Sequence, residues 1–69
     1  MNLQWDGDAL RLNGRGPAIV KLVPDTVYAA MWRIELPGGA LTDMGNRTRV
    51  KDAGLTIAAQ LLLSRRAAA

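Results

Sequence analysis

Arg47, Arg49 and Lys51 occupy alternate positions in one short stretch and form the densest basic group of the chain. Side chains of this kind contact phosphate oxygens, and the free N–H groups of a helix start assist them. They are the candidate phosphate-contacting residues. Arg33 is a second candidate: an outward arginine on a strand can read a base edge or pair with a neighbouring acid. The acids offer less. Asp6 and Asp8 flank Gly7, which is turn chemistry. As metal ligands they would need further oxygens that no nearby motif supplies. Ser64 has no histidine to activate it, and its neighbour Arg65 cannot act as a base.

Cysteine and histidine are both absent. Their absence excludes a disulfide framework, a thiolate nucleophile and a Cys/His zinc site. It also removes the side chain that most often serves as a general base near neutral pH. The glycines of Asn13-Gly14-Arg15-Gly16-Pro17 lack the Lys-Ser/Thr and the helix of a phosphate loop, so the stretch is expected to be a connecting loop. No residue stands out as catalytic, cofactor-binding or metal-ligating. The chain is not expected to be an enzyme or to need a cofactor.

The chain has 69 residues, a formal net charge of +3 and a sequence pI near 10.2. The charge is unevenly spread. Up to residue 46, Arg11, Arg15, Lys21 and Arg33 are outnumbered by Asp6, Asp8, Asp25, Glu35 and Asp43. From residue 47 on, Arg47, Arg49, Lys51, Arg65 and Arg66 face Asp52 alone. The basicity thus belongs to the C-terminal third. The hydrophobic share of 49 % is rich in alanine, which buries little area. A chain this short buries only roughly 60 % of its unfolded surface, and small domains usually need a staple. A homo-oligomer, with a dimer favoured, is therefore the structural expectation. The opening Met1-Asn2-Leu3-Gln4-Trp5-Asp6 is not basic-then-apolar, and Ala53 to Leu63 is too short to span a bilayer. A cytoplasmic protein without a membrane partner is expected.

The elements that must position these side chains follow from periodicity. Leu3 and Trp5 alternate with polar residues, as do Leu10 and Leu12. A turn on Gly7-Asp8 sets Trp5 opposite Leu10 and Leu3 opposite Leu12, with all four on one face. Ala18 to Val23 is apolar and β-branched, a third strand. Pro24-Asp25-Thr26 turns the chain. Val27 to Leu36 predicts a long strand, with Tyr28, Ala30, Trp32, Ile34 and Leu36 on one side and Arg33 and Glu35 on the other. Pro37-Gly38-Gly39 closes a hairpin into Ala40 to Met44. A three-residue loop pairs Leu36 with Ala40, Ile34 with Thr42 and Trp32 with Met44, and sets Arg33 opposite Asp43.

After Gly45-Asn46 the period becomes helical. Thr48 is the expected cap of a helix from Arg49 to about Arg66. Val50, Ala53, Gly54, Ile57, Ala58 and Leu61 form one stripe. Gly54 within it costs about 1 kcal/mol against alanine, a cost that close approach to the sheet can return. Leu55 and Leu62 lie about 100° round from the stripe and Leu63 further still. Either the N-terminal hairpin or another subunit must cover them. Leu55, Leu62 and Leu63 are the candidate self-association residues.

The stretch MWRIELPGGALTDMGNRTRVKDAGLTIAAQLL, from Met31 to Leu62, resembles short bacterial proteins that share M-W-R-I/V-x-L-P-x-G, S/T-D-M and N-x-S/T-R-x-K-D-A. That resemblance implies no particular activity. Trp32, Ile34, Gly38, Gly39, Thr48 and Ala53 also stand at places similar to those in the sheet-plus-helix DNA-binding domains of phage integrases and plant ethylene-response factors. This looser likeness implies a sheet face entering the major groove, with Arg33 as the contact residue. Glu35 and Asp43 on that face depart from the pattern.

The expected fold is α+β: a meander-like antiparallel sheet of about five short strands within residues 3–44, packed by one C-terminal helix over about 48–66. Residues 1–66 form one domain, and 67–69 a frayed tail. The expected role is a non-catalytic interaction domain that self-associates and regulates a larger partner protein. The competing expectation is a small DNA-binding module that uses the basic sheet-to-helix junction.

Overall fold

The computed structural model describes residues 2–68. Four strands, β1 (Leu3–Asp6), β2 (Ala9–Leu12), β3 (Arg15–Pro24) and β4 (Trp32–Glu35), precede one helix, α1 (Arg47–Ala68). The strands form an antiparallel meander in the order β1-β2-β3-β4. The architecture is α+β, as the periodicity predicts. The helix begins earlier and ends later than 48–66. Of the tail expected at 67–69, Ala69 lies outside the described residues.

The first hairpin has the expected register, Leu3 with Leu12 and Trp5 with Leu10. The turn between β2 and β3 is tighter than the expected loop over Asn13–Pro17. Asn13 and Gly14 alone make it, at φ of 56° and 68°, and Leu12 pairs with Arg15. Two consecutive positive φ angles match the right-handed twist of a two-residue hairpin. Gly16 and Pro17 belong to β3, inside an irregularity of the ladder between Leu10 and Leu12. The Arg11 guanidinium donates to the Gly16 carbonyl there.

The long strand expected from Val27 to Leu36 is only Trp32–Glu35. The Asp25 carboxylate explains the difference. It accepts the N–H groups of Val27 (2.9 Å) and Tyr28 (2.7 Å), which turns the chain on itself. Asp25 N–H then bonds to the Met31 carbonyl, and the loop closes.

Beyond β4, the three-residue loop holds. Leu36 N–H donates to the Ala40 carbonyl, and Thr42 N–H to Ile34. Ala40 to Met44 is nevertheless not a strand: it meets β4 in isolated bridges at Glu35–Leu41 and Trp32–Gly45. Trp32 therefore faces Gly45 instead of Met44, because one extra residue is taken up between Thr42 and Gly45. This accounts for four strands in place of five.

One sheet face meets the helix. Leu10, Ile19, Val20, Leu22, Ile34, Val50 and Ala58 are buried, ringed by half-buried residues that include Leu3, Trp5 and Trp32. Along α1, the buried line is Val50, Gly54 and Ala58, with Ile57 and Leu61 half-buried; Ala53, expected in this stripe, is exposed. A Cβ at Gly54 would stand 2.8 Å from Ile34 Cδ1 and 3.0 Å from Trp5 Cζ2. Helix and sheet approach closely at the residue that lacks a side chain.

Candidate functional site

The basic junction begins at the helix cap. Asn46, not Thr48, caps α1: its Oδ1 accepts the Arg49 N–H at 2.8 Å and its carbonyl accepts Val50 N–H. No acid occupies the first turn. The three bases do not converge on an open site. Arg47 Nη2 lies 3.1 Å from Asp8 Oδ1, and its guanidinium stands 4.8 Å from the centre of the Trp32 ring. Lys51 Nζ stands 5.4 Å from the centre of the Trp5 ring. Arg49 has no ion pair among the described residues. A shallow hollow of about 540 Å³ lies beside the cap, lined by Asn46, Arg47, Thr48, Arg49 and the acid Asp52. Arg47 and Lys51 thus cover aromatic rings of the sheet, and Asp52 offsets what Arg49 contributes.

Arg33 does not pair with Asp43. Its Nε lies 2.8 Å from Asp25 Oδ1, and its Nη1 donates to the Thr42 carbonyl at 2.9 Å. Asp25 Oδ1 therefore faces Arg33, while Oδ2 takes the two loop N–H groups. These N–H donors, Tyr28 first, and the guanidinium hold the Asp25 carboxyl down at about 2 against an ordinary 3.8. Arg33 is a fastener between the loop and the segment after β4, through its Nε and Nη1 donors.

The loop so fastened displays apolar side chains. Val27 is 78 % exposed and Tyr28 57 %. Ala30 sits at φ 64°, a left-handed conformation that the closed loop imposes on a residue with a Cβ. Exposed Met31 and Met44 each adjoin the Trp32–Gly45 bridge. Met44 also lines a hollow of about 300 Å³ with Asp43, Gly45, Arg49, Val50 and Ala53. Sequence reasoning missed this surface, because an alternating pattern placed Tyr28 in the core. The available signal was Asp25 itself: an aspartate after a proline, with N–H groups two and three residues on, is a capped turn.

The candidate self-association leucines divide. Leu55 and Leu62 are half-buried against the core, while Leu63 is exposed. Trp5 lies beside Leu55, where both line a small hollow with Thr48, Lys51 and Asp52. The N-terminal hairpin therefore covers part of the second apolar side of the helix. Trp5 Nε1 is buried there without a hydrogen-bond acceptor.

Among the described residues no group of three His, Cys, Asp or Glu side chains could hold a metal ion. No described helix is long and apolar enough to cross a membrane. The known protein families, the curated proteins and the solved structures contain no match to this chain.

Proposed function

We propose that this chain is a non-catalytic interaction domain that self-associates and regulates a larger protein by docking on it. One observation carries the reading: an Asp25-fastened loop holds Val27 and Tyr28 out in solvent. A loop kept in shape by charged hydrogen bonds loses little further freedom when it binds. Exposed apolar side chains on a fixed loop are the usual makings of a contact surface. Self-association draws its support from the thin core, in which the buried residues are few and Ala58 is among them.

Peptides selected from a random display library on the full chain test the docking surface. They are expected to bind the native protein and to lose the Val27→Asp/Tyr28→Asp variant at unchanged melting temperature. Equal binding to both proteins would overturn the reading. Light scattering at high micromolar concentration tests self-association, and a monomer there removes it.

A second reading, DNA binding at the helix start, keeps one supporting observation: Arg49 has no ion pair among the described residues, beside a first turn without acids. Retardation of duplex DNA at about 50 mM salt, weakening with a log–log slope near −0.9 per phosphate, is its signature. With Arg47 and Lys51 engaged by Asp8, Trp32 and Trp5, the slope should be no steeper than about −1.

A further inference from the structure

The two edges of the sheet are treated differently. Beyond β4, the backbone of Ala40 to Gly45 takes up edge hydrogen bonds at Leu36, Ile34 and Trp32. Beyond β1 nothing pairs among the described residues. The phase of that open edge is fixed. Asn13 N–H donates to the Asn2 carbonyl, so the pairs that exchange hydrogen bonds with β2 include Gln4 with Arg11 and Asp6 with Ala9. The backbone groups of Leu3 and Trp5, the residues between, therefore point away from the sheet.

Open edges are normally guarded by lysine, proline or a bulge. Leu-Gln-Trp-Asp contains neither lysine nor proline, and the ladder irregularity lies between β2 and β3. The one charge on the strand, Asp6, lies 3.3 Å from Arg11 on the neighbouring strand.

We propose that β1 is a dimerisation edge on which a second copy of this chain lays its own β1 antiparallel. The proposal rests on the self-association reading above and specifies its contact. The outward groups of Leu3 and Trp5 are self-complementary about Gln4. Leu3 pairs with the partner's Trp5, Trp5 with the partner's Leu3, and Gln4 meets the partner's Gln4 on the two-fold axis. About four backbone hydrogen bonds form. Side chains of paired residues share a face, so Leu3 and the partner's Trp5 make an apolar cross-strand pair on the helix face. On the other face amide meets amide, and Asp6 meets the partner's Asn2, so no like charges are opposed. The four-stranded sheet doubles, with both helices on the same side. The Val27–Tyr28 surface, reached from the other end of the sheet order, stays free in both copies.

Gln4 is exposed, and the chain has no cysteine, which allows a clean test. A non-hydrogen-bonded pair on the axis has a Cα separation of about 4.5 Å, within disulfide range. Gln4→Cys is expected to oxidise to a covalent dimer much faster than Leu63→Cys, which is also exposed. Gln4→Lys and Gln4→Glu are each expected to weaken association by about fivefold, and an equal mixture to restore it as a heterodimer. Circular dichroism confirms that each variant is folded. If the native chain dimerises while Gln4→Lys does so equally well and Gln4→Cys does not cross-link, the edge is wrong and self-association stands. If the folded native chain is monomeric at high micromolar concentration, both fall.

Discussion

Arg33 Nε stands 2.8 Å from Asp25 Oδ1, and this ion pair joins the loop after β3 to β4, while Arg33 Nη1 ties the Thr42 carbonyl of the segment beyond. The Asp25 side chain is only 6 % exposed, while the Arg33 side chain keeps 29 %, so the pair is partly shielded from water. Its position ties Arg33 to the protein through two of its donors and helps hold the loop that carries the exposed Val27 and Tyr28.

Because the Asp25 carboxyl is held at about 2 in the fold and takes its ordinary 3.8 in the unfolded chain, the unfolded state binds the proton more tightly. The stability from this group is therefore complete above about pH 4 and is lost as pH falls towards 2. Asp25→Asn keeps an oxygen acceptor for the Val27 and Tyr28 N–H groups but removes the charge. Urea midpoints measured from pH 6 to pH 2 should fall less steeply for Asp25→Asn than for the native chain. Parallel curves would show that Asp25 is not a source of the acid sensitivity.

The helix cap gives a second comparison. Asn46 Oδ1 satisfies the Arg49 N–H, one of the orphan donors of the first turn. Asn46→Ala should cost about 1 kcal/mol, within the usual 0.5–2 kcal/mol for a lost cap. Thr48→Ala, at an exposed position inside the helix, should stay within about 0.5 kcal/mol. The reverse order of the two costs, read from denaturation curves, would restore Thr48 as the cap.

Arg47 makes two contacts that cross long stretches of sequence, to Asp8 and to the Trp32 ring. The ion pair is half exposed on both sides, so a double-mutant cycle of Arg47→Ala and Asp8→Ala should give a coupling below about 1 kcal/mol. The stack on Trp32 adds about 0.5–1 kcal/mol. Arg47→Ala should therefore cost more than Asp8→Ala. Equal costs would mean that the ring contact contributes nothing.

The parts of the fold legible in the sequence were those decided by neighbours. The Gly7-Asp8 turn and the pairing of Trp5 with Leu10 followed from requiring four apolar residues on one face, and the Pro37-Gly38-Gly39 loop from matching Leu36 with Ala40 and Ile34 with Thr42. What stayed hidden was decided by competition or by distance. Asp25 turned the backbone against an alternation running from Tyr28 to Leu36 that looks like a strand. Asn46 and Thr48 are both good caps, and only the start of the helix chooses between them. At the site, Arg47, Arg49 and Lys51 are adjacent in sequence as a basic group, but Asp8 and the two tryptophans that engage two of them arrive through the sheet. A local charge count cannot see such partners.

Gly54 tests the packing on which the whole arrangement depends. In an exposed helix, glycine to alanine gains about 1 kcal/mol. Here the new Cβ would stand 2.8 Å from Ile34 Cδ1 and 3.0 Å from Trp5 Cζ2. Ile34 is fully buried in the sheet, so its terminal methyl can swing only into other core side chains. The Trp5 ring is rigid and holds the N-terminal hairpin against the helix. The helix must lift or the hairpin must shift, at an overpacking cost of about 1–3 kcal/mol that exceeds the helical gain. Gly54→Ala should therefore lower the melting temperature by several degrees, about 4–8 °C per kcal/mol in a domain of this size. Ile34→Val removes the closest clashing methyl. Combined with Gly54→Ala it should lose less than the two single changes added together, because the sites share one space. A higher melting temperature for Gly54→Ala alone would mean that helix and sheet stand further apart at this point than their side chains indicate.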